Sequence, residues 1–334
     1  MSSRTPNSPS PLPLVVFAYH DVGYECVDLL IGRGERIAAV FTHEDSPGER
    51  IWFRSVADLA RRHGIPVHTP ASVHTPEWIA HIRALEPALI LSFYYRNMIC
   101  QEILDLPPLG ALNMHGSLLP KYRGRVPVNW AVLRGEKETG VTLHYMVKRA
   151  DAGDIVDQQA VPIGPKETAL EVFRKVTAAA RIVLERQIDA LKRGKAPRRP
   201  QLEAEATYFG GRTPEDGRID WTLGAAAIFN LIRAVTHPYP GAFTEAEGRR
   251  LFIWWAEPAP SCPAPPDQRQ PGVICSTTPL RVATGDGCLE ITAWQWEGEA
   301  EQSSPSSADG GHGLRLGQRL GEPTRPRSSV ASSS

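Results

Sequence analysis

The sequence carries no excess charge of either sign, few cysteines and no long apolar run, and each shortage removes a class of function. Lys plus Arg and Asp plus Glu both number 37, so no net field draws the molecule onto nucleic acid or an anionic membrane. Neither a nucleic-acid partner nor membrane insertion is expected. No stretch reaches the roughly 18 apolar residues of a spanning helix, and MSSRTPNSPSPLP at the start has no apolar core of a secretory signal. The five cysteines, Cys26, Cys100, Cys262, Cys275 and Cys288, are scattered and odd in number. They form neither a CxxC pair nor a metal-ligand spacing, which points to a reducing, cytoplasmic setting. Also missing is GxGxxG after the first apolar run, where YHDVGYE offers Gly23 alone. A dinucleotide pyrophosphate needs those glycines, so NAD and hydride transfer are not expected.

What is present is an ordinary globular composition, 42% hydrophobic in 334 residues, enough to bury two cores. Short apolar runs at residues 14–19, 36–42, 88–94 and 111–115 alternate with helical patterns near 49–63, 76–85 and 127–134. That alternation predicts an α/β, Rossmann-like, doubly wound and mostly parallel sheet. Residues 140–147 and 154–163 read as a strand pair joined by KRADAG, followed by a helix over 167–193. LKRGKAPRRP at 191–200 reads as a solvated connector. Beyond it come one helix near 224–236 and short strands near 241–246, 250–256, 272–276, 280–283 and 288–293, the pattern of a small OB-like β domain. The expected organisation is a disordered N-terminus at 1–12, a catalytic domain at 13–203, an OB-like domain at 204–300 and a disordered Ser-rich tail at 301–334.

In ALNMHGSLLPKYRG the strand pattern puts Asn113 and His115 on one face at the C-terminal end of a strand, where open α/β sheets place their sites. The loop that follows, with Gly116, Pro120 and Gly124, leaves room for a ligand to approach the backbone. An Asn amide can hold developing negative charge, His titrates in the range for proton transfer, and a nearby carboxylate favours the charged imidazole. Asp151 in the KRADAG loop can supply that carboxylate if the strand ending at Val147 lies beside the one ending at His115. NxH alone is a weak signal, since a strand-end His is more often structural.

LNMHGSLLPKYRGRVPVNWAVLRGEKETGVTLHYMVKRADAGDIV resembles the signature of the folate-dependent formyltransferases. Within that family VVFAYHDVG, FTHEDSPGE, LSFYYRNMI, FGGRTPEDG and HPYPGAF are most similar to the formyltransferase domain of the bifunctional polymyxin-resistance enzyme acting on UDP-4-amino-4-deoxy-L-arabinose. The resemblance implies 10-formyltetrahydrofolate as co-substrate and a nucleotide-linked amino sugar as acceptor, in the setting of lipid A modification. It implies that Asn113 stabilises the transition state, His115 transfers protons, and Asp151 holds and tunes His115. Asn97, Met98, Ile99, Arg125, Val147, Lys148, Arg149, Ala150 and Asp151 would border the folate. Asn97 and Met98 stand where the closest relative has His and Leu, and no dehydrogenase unit follows, so formylation alone is expected. Methionyl-tRNA formylation and a non-catalytic binding module remain alternatives, and oligomerisation is left open.

The remaining features have plain readings. Trp254, Trp255, Trp294 and Trp296 are core residues before they are base-stacking ones. His20, His43 and His144 have no carboxylate or Cys at ligand spacing, so no metal is expected. GDGC at 285–288 is a turn, and GGHG at 310–313 lies in the tail. Lys121, Arg123 and Arg125 cluster beside the candidate loop and are assigned to an anionic ligand over a solvated charge run.

Overall fold

The computed structural model describes residues 12–45, 48, 50–263, 269–303 and 313–321. They fall into two compact units, one of the described residues up to 128 with 138–163 and 172–211, the other of 129–137, 164–171 and the described residues from 212 on.

The first unit is built on β1 (Leu14–Ala18), β2 (Ile37–Phe41), β3 (Val67–His68), β4 (Leu89–Phe93) and β5 (Ala111–His115), all parallel, in the order β3-β2-β1-β4-β5. β1 and β4 are buried along their whole length, as the unbroken apolar runs of a sheet covered on both faces require. A two-residue strand β6 (Arg123–Gly124) follows, then β7 (Glu138–Tyr145) and β8 (Ile155–Pro162), which extend the sheet antiparallel beyond β5.

The connecting helices are α1 (His20–Gly32), α2 (Val56–Arg62), α3 (Pro76–Ala84), α4 (Gln101–Leu104), α5 (Pro127–Leu133) and α6 (Ala169–Lys192). The helical reading of residues 49–63 shrinks to α2, whose start is fixed where Ser55 accepts the Asp58 N–H. α1 was not expected. Tyr19 provides no side-chain cap to mark its start, yet Val22, Cys26, Val27, Leu29 and Leu30 give it a buried stripe.

The connector at 191–200 is solvated over residues 193–195 and 197–200, but it is tied down at both ends. Ile155 and Arg199 exchange both backbone hydrogen bonds, the Arg198 guanidinium sits 3.6 Å over the Tyr145 ring, and Leu191 is buried. The connector thus pairs with the start of β8 through the single bridge at Arg199. A further short strand, β9 (Tyr208–Phe209), runs parallel to β6.

The second unit holds α7 (Ala225–Val235) and an antiparallel sheet of β10 (Ala242–Ala246), β11 (Arg249–Pro258), β12 (Ile274–Thr277), β13 (Leu280–Ala283) and β14 (Cys288–Trp296) in the order β10-β11-β14-β13-β12, with β15 (Gln302–Ser303) on β14. Trp254, Trp294 and Trp296 are buried and Trp255 packs edge-on against Phe229, the core reading.

Two expectations fail in this unit. Residues 302–303 and 313–321, assigned to an unstructured tail, are ordered. β15 joins the sheet, Leu320 donates to the Gly272 carbonyl and is 2% exposed, and Leu314 is also buried. Two leucines in a polar stretch are enough to dock it. The other tail residues and residues 1–11 lie outside the described ones. The cysteines, scattered in sequence, are not all scattered in space: three of the five meet in this unit. β11 and β14 pair out to Pro258 and Leu289, so Cys262 and Cys288 meet at that edge and form a disulfide with Cα atoms 5.5 Å apart.

Candidate active site

Registration of β5 against β7 sets the site. Asn113 lies opposite His144 and His115 opposite Thr142, and residues directly opposed across antiparallel strands share a face. One face therefore carries an amide, two imidazoles and a hydroxyl. The sequence reading put Asp151 at a strand end alongside that of β5. β7 runs the other way, its Tyr145 pairing with Leu112, and the loop after it returns Asp151 over the face.

The carboxylate of Asp151 is the hub. Its Oδ1 is 3.5 Å from His115 Nδ1, 3.5 Å from His144 Nε2 and 3.4 Å from Asn113 Nδ2, while Oδ2 accepts the Gly124 N–H at 2.9 Å. Burial alone raises its pKa. The His115 imidazole, the hydrogen bond and charge of His144, and the Gly124 amide outweigh burial and hold the carboxyl well below the usual carboxylate range. Asp151 is thus a fixed negative charge against two rings and an amide.

Each ring has one nitrogen committed. His115 Nε2 is 2.8 Å from the Tyr122 carbonyl, which can only accept, so this nitrogen carries a hydrogen and Nδ1 is left to face Asp151. His144 Nδ1 is likewise tied to the Tyr145 carbonyl at 2.9 Å, and its Nε2 faces both the Asn113 amide nitrogen at 3.3 Å and Asp151 Oδ1 at 3.5 Å. These tautomers follow from the acceptors. His115, the last residue of β5, is 6% exposed, so a strand-end position here is also a packed one.

Loop glycines that read as room for a ligand are occupied by close packing. A side chain on Gly116 would lie 2.0 Å from the Tyr94 hydroxyl. One on Gly124, whose φ is +102°, would lie 2.2 Å from the Phe209 carbonyl. The Gly124 backbone must approach both β9 and Asp151, which only glycine allows. The Asp151 backbone is itself left-handed at φ 54°, a conformation that Asp tolerates when its surroundings hold it. Gln201 supplies that hold, donating to the carbonyls of Asp151 at 2.8 Å and Gly153 at 2.7 Å.

Arg123 continues the support and corrects the basic-cluster reading. It is 0% exposed, donates to Gln201 Oε1 and Glu203 Oε2, and meets the Tyr208 hydroxyl in a short contact. It is a buried anchor whose charge is met by the Glu203 carboxylate of this chain at 2.8 Å and so is not held out for an anionic ligand, whereas Lys121 and Arg125 are exposed. His144 and Gln201 were missed by sequence reasoning. The alternation of β7 could have placed His144 on the working face, but no short-range signal marks Gln201, fifty residues from the carbonyl that it holds.

The residues expected at a ligand border divide. Met98 is 55% exposed, Asn97 is exposed with its amide 3.4 Å from the Ala71 carbonyl, and Val147, Lys148 and Ala150 are exposed. Arg149 is exposed but paired with Glu203 at 2.7 Å. Ile99 is buried in the core with Phe17, Phe41 and Ile103, so its side chain is not at a surface border. A separate cleft of about 300 Å³ is lined by Tyr19, His43, Asp45, Phe53 and Arg54 among others, and neither Asn113, His115 nor Asp151 is on its wall.

Two family models match the chain, formyl transferase over residues 28–188 and formyl transferase C-terminal domain over residues 212–310. Among similar solved structures is WlaRD, a sugar 3N-formyl transferase crystallised with dTDP and 5-N-formyl-THF. It is 18% identical, with TM-score 0.65, over 86% of this chain and 99% of that one. An N-formyltransferase from Helicobacter canadensis, in complex with folinic acid and dTDP-3-aminofucose, is 18% identical with TM-score 0.65 over 84% and 98%. HypX from Aquifex aeolicus with tetrahydrofolic acid is 19% identical with TM-score 0.60 over 88% of this chain, which spans 46% of HypX. At these identities the likeness is one of fold.

Proposed function

Because the chain belongs to the formyl transferase family, its two domain models together spanning more than three quarters of the sequence, we propose that it moves the formyl group of 10-formyltetrahydrofolate onto the primary amine of a nucleotide-linked amino sugar. UDP-4-amino-4-deoxy-L-arabinose is the acceptor to which the sequence resemblance points. The observation that carries the reading is the convergence of Asn113, His115 and Asp151 on one sheet face.

In this reading the acceptor amine attacks the formyl carbon and the carbonyl oxygen becomes an oxyanion. The Asn113 amide donates to that oxyanion. Its contacts of 3.3 and 3.4 Å are long for hydrogen bonds, so the N–H groups can be redirected. His115 Nδ1 takes a proton from the attacking nitrogen and returns one to the departing folate nitrogen as the carbon–nitrogen bond to the carrier breaks. Asp151, kept ionised, stabilises the imidazolium between those steps. His144 Nε2 lies 3.5 Å from the same carboxylate oxygen that faces His115 and limits the positions the carboxylate can take.

Asn97, Met98, Arg125 and Val147 to Ala150 are assigned to the folate border, with Ile99 contributing backbone only. Carrier and acceptor are small molecules in this reading, and the place of action is the cytoplasm. The test is tetrahydrofolate release by the purified chain given 10-formyltetrahydrofolate and the UDP-amino sugar. Release that requires the sugar is expected. Turnover with methionyl-tRNA and none with any nucleotide amino sugar would overturn the acceptor.

A further inference from the structure

The second unit gathers three of the chain's five cysteines at one point. Cys262 lies beyond the end of β11, Cys275 on β12 and Cys288 at the first position of β14. Their sulfurs all lie within 4.8 Å of one another, Cys275 Sγ being 3.3 Å from Cys262 Sγ and 3.4 Å from Cys288 Sγ. No sequence spacing announces this. It follows from sheet register: Pro258 opposite Leu289 carries Cys262 and Cys288 to one edge, and Ala259 donates to the Cys288 carbonyl. The irregularity between Ile274 and Ser276 leaves Cys275 out of the β12–β13 ladder.

We propose that in the reduced chain these three thiolates bind one thiolate-preferring cation of the zinc class. Three Cys sulfurs bound at about 2.3 Å each occupy a space of the size seen here. A disulfide between Cys262 and Cys288 uses two of the sulfurs and leaves the third in contact with both, whereas a single cation engages all three. The surroundings suit a site that gains negative charge. Arg281 is held against Glu290 at 2.9 Å and donates to the Ser261 carbonyl, Arg269 donates to the Cys262 carbonyl, and the Arg281 carbonyl accepts from Cys275 Sγ. Cys288 is buried and the other two are half-buried, so the cation keeps one position open to solvent. Metal and disulfide are alternative occupants. Binding releases the thiol protons and needs no electron transfer.

The experiment uses the full chain, fully reduced under inert gas and titrated with zinc against a chromophoric chelator and, separately, with cobalt(II). One equivalent of zinc and a sulfur-to-cobalt charge-transfer band are expected, together with a melting temperature that rises with added zinc. Cys275→Ser should weaken zinc by at least about tenfold, since loss of mere outer contacts already costs that much, while Cys100→Ser should bind as the parent does. Circular dichroism identifies a variant that fails to fold, in which case Cys262→Ser replaces it. Absence of stoichiometric zinc in the fully reduced parent would overturn the proposal. Undiminished binding in folded Cys275→Ser and Cys262→Ser would overturn it too.

Discussion

The face of β5 and β7 and the loops that follow β4 and β7 differ in how firmly their residues are held. On the face, Asp151 touches four groups, each imidazole has one nitrogen committed to a carbonyl, and the supporting Arg123 is fully buried. In the loops, Asn97, Met98, Lys148 and Ala150 face solvent. Groups that must meet a transition state gain from being fixed beforehand, since reorganisation then costs little at the moment of reaction. Groups that only border a ligand can be exchanged without touching that arrangement, and so acceptor and carrier preference can vary on one fold.

That contrast can be broken by substitution. The largest effect should come from His115→Asn, with turnover falling by about 10²–10⁴-fold, the usual worth of a general acid–base group. Because His115 is buried and donates to Tyr122, His115→Ala would also cost stability, and the Asn variant separates the two. Turnover within a few-fold of the parent would remove this ring from the reaction.

Asp151→Asn should lower kcat by about a hundredfold or more, as expected when an imidazolium loses its counter-charge. It should also change the acid limb of stability. The folded chain holds this carboxyl ionised below the range where a free aspartate takes up its proton, near about 3.9. Asp151 therefore stabilises the fold above that pH, and the contribution is lost as the pH falls through the folded-state value. The variant should melt lower at neutral pH and lose less on acidification. An unchanged slope of melting temperature against pH would contradict this.

Gln201→Ala leaves the reacting groups in place but frees the carbonyls of Asp151 and Gly153. A fall in kcat of about tenfold is expected, with KM nearly constant, as a displaced but intact group gives. Gln201→Glu, which keeps acceptors for Arg123 but loses the two N–H donors to the loop, should resemble the Ala variant. The smallest effect should come from Met98→Ala. Its stability should stay within about 0.5 kcal/mol of the parent, and KM for the formyl donor should move more than kcat. A Met98 variant that lost kcat as severely as Gln201→Ala would erase the distinction between face and loop.

Sequence showed the parallel core clearly because Leu14–Ala18 and Leu89–Phe93 are unbroken apolar runs, and it showed Asn113 and His115 because a two-residue spacing in a strand fixes a shared face. Asp151 was legible through family resemblance. Its real route, from a loop behind an antiparallel strand, depends on strand order that no local pattern contains. Arg123 misled for a related reason. A basic cluster beside a loop reads as an anionic-ligand contact until Gln201, Glu203 and Tyr208 arrive from about eighty residues away. The docking of Leu320 was hidden by its polar neighbours, and the meeting of Cys262, Cys275 and Cys288 by their spacing.

The bond from His115 Nε2 to the Tyr122 carbonyl has a consequence for stereochemistry. A ring with one nitrogen spoken for cannot pass a proton through itself, in at one side and out at the other. In the proposed reaction whatever Nδ1 accepts must leave by the same door, so the incoming and outgoing nitrogens would both have to come within reach of a single lone pair while joined to one carbon. For the proposed reaction that requirement would limit the side of the formyl plane from which an amine can approach, whatever group carries the amine.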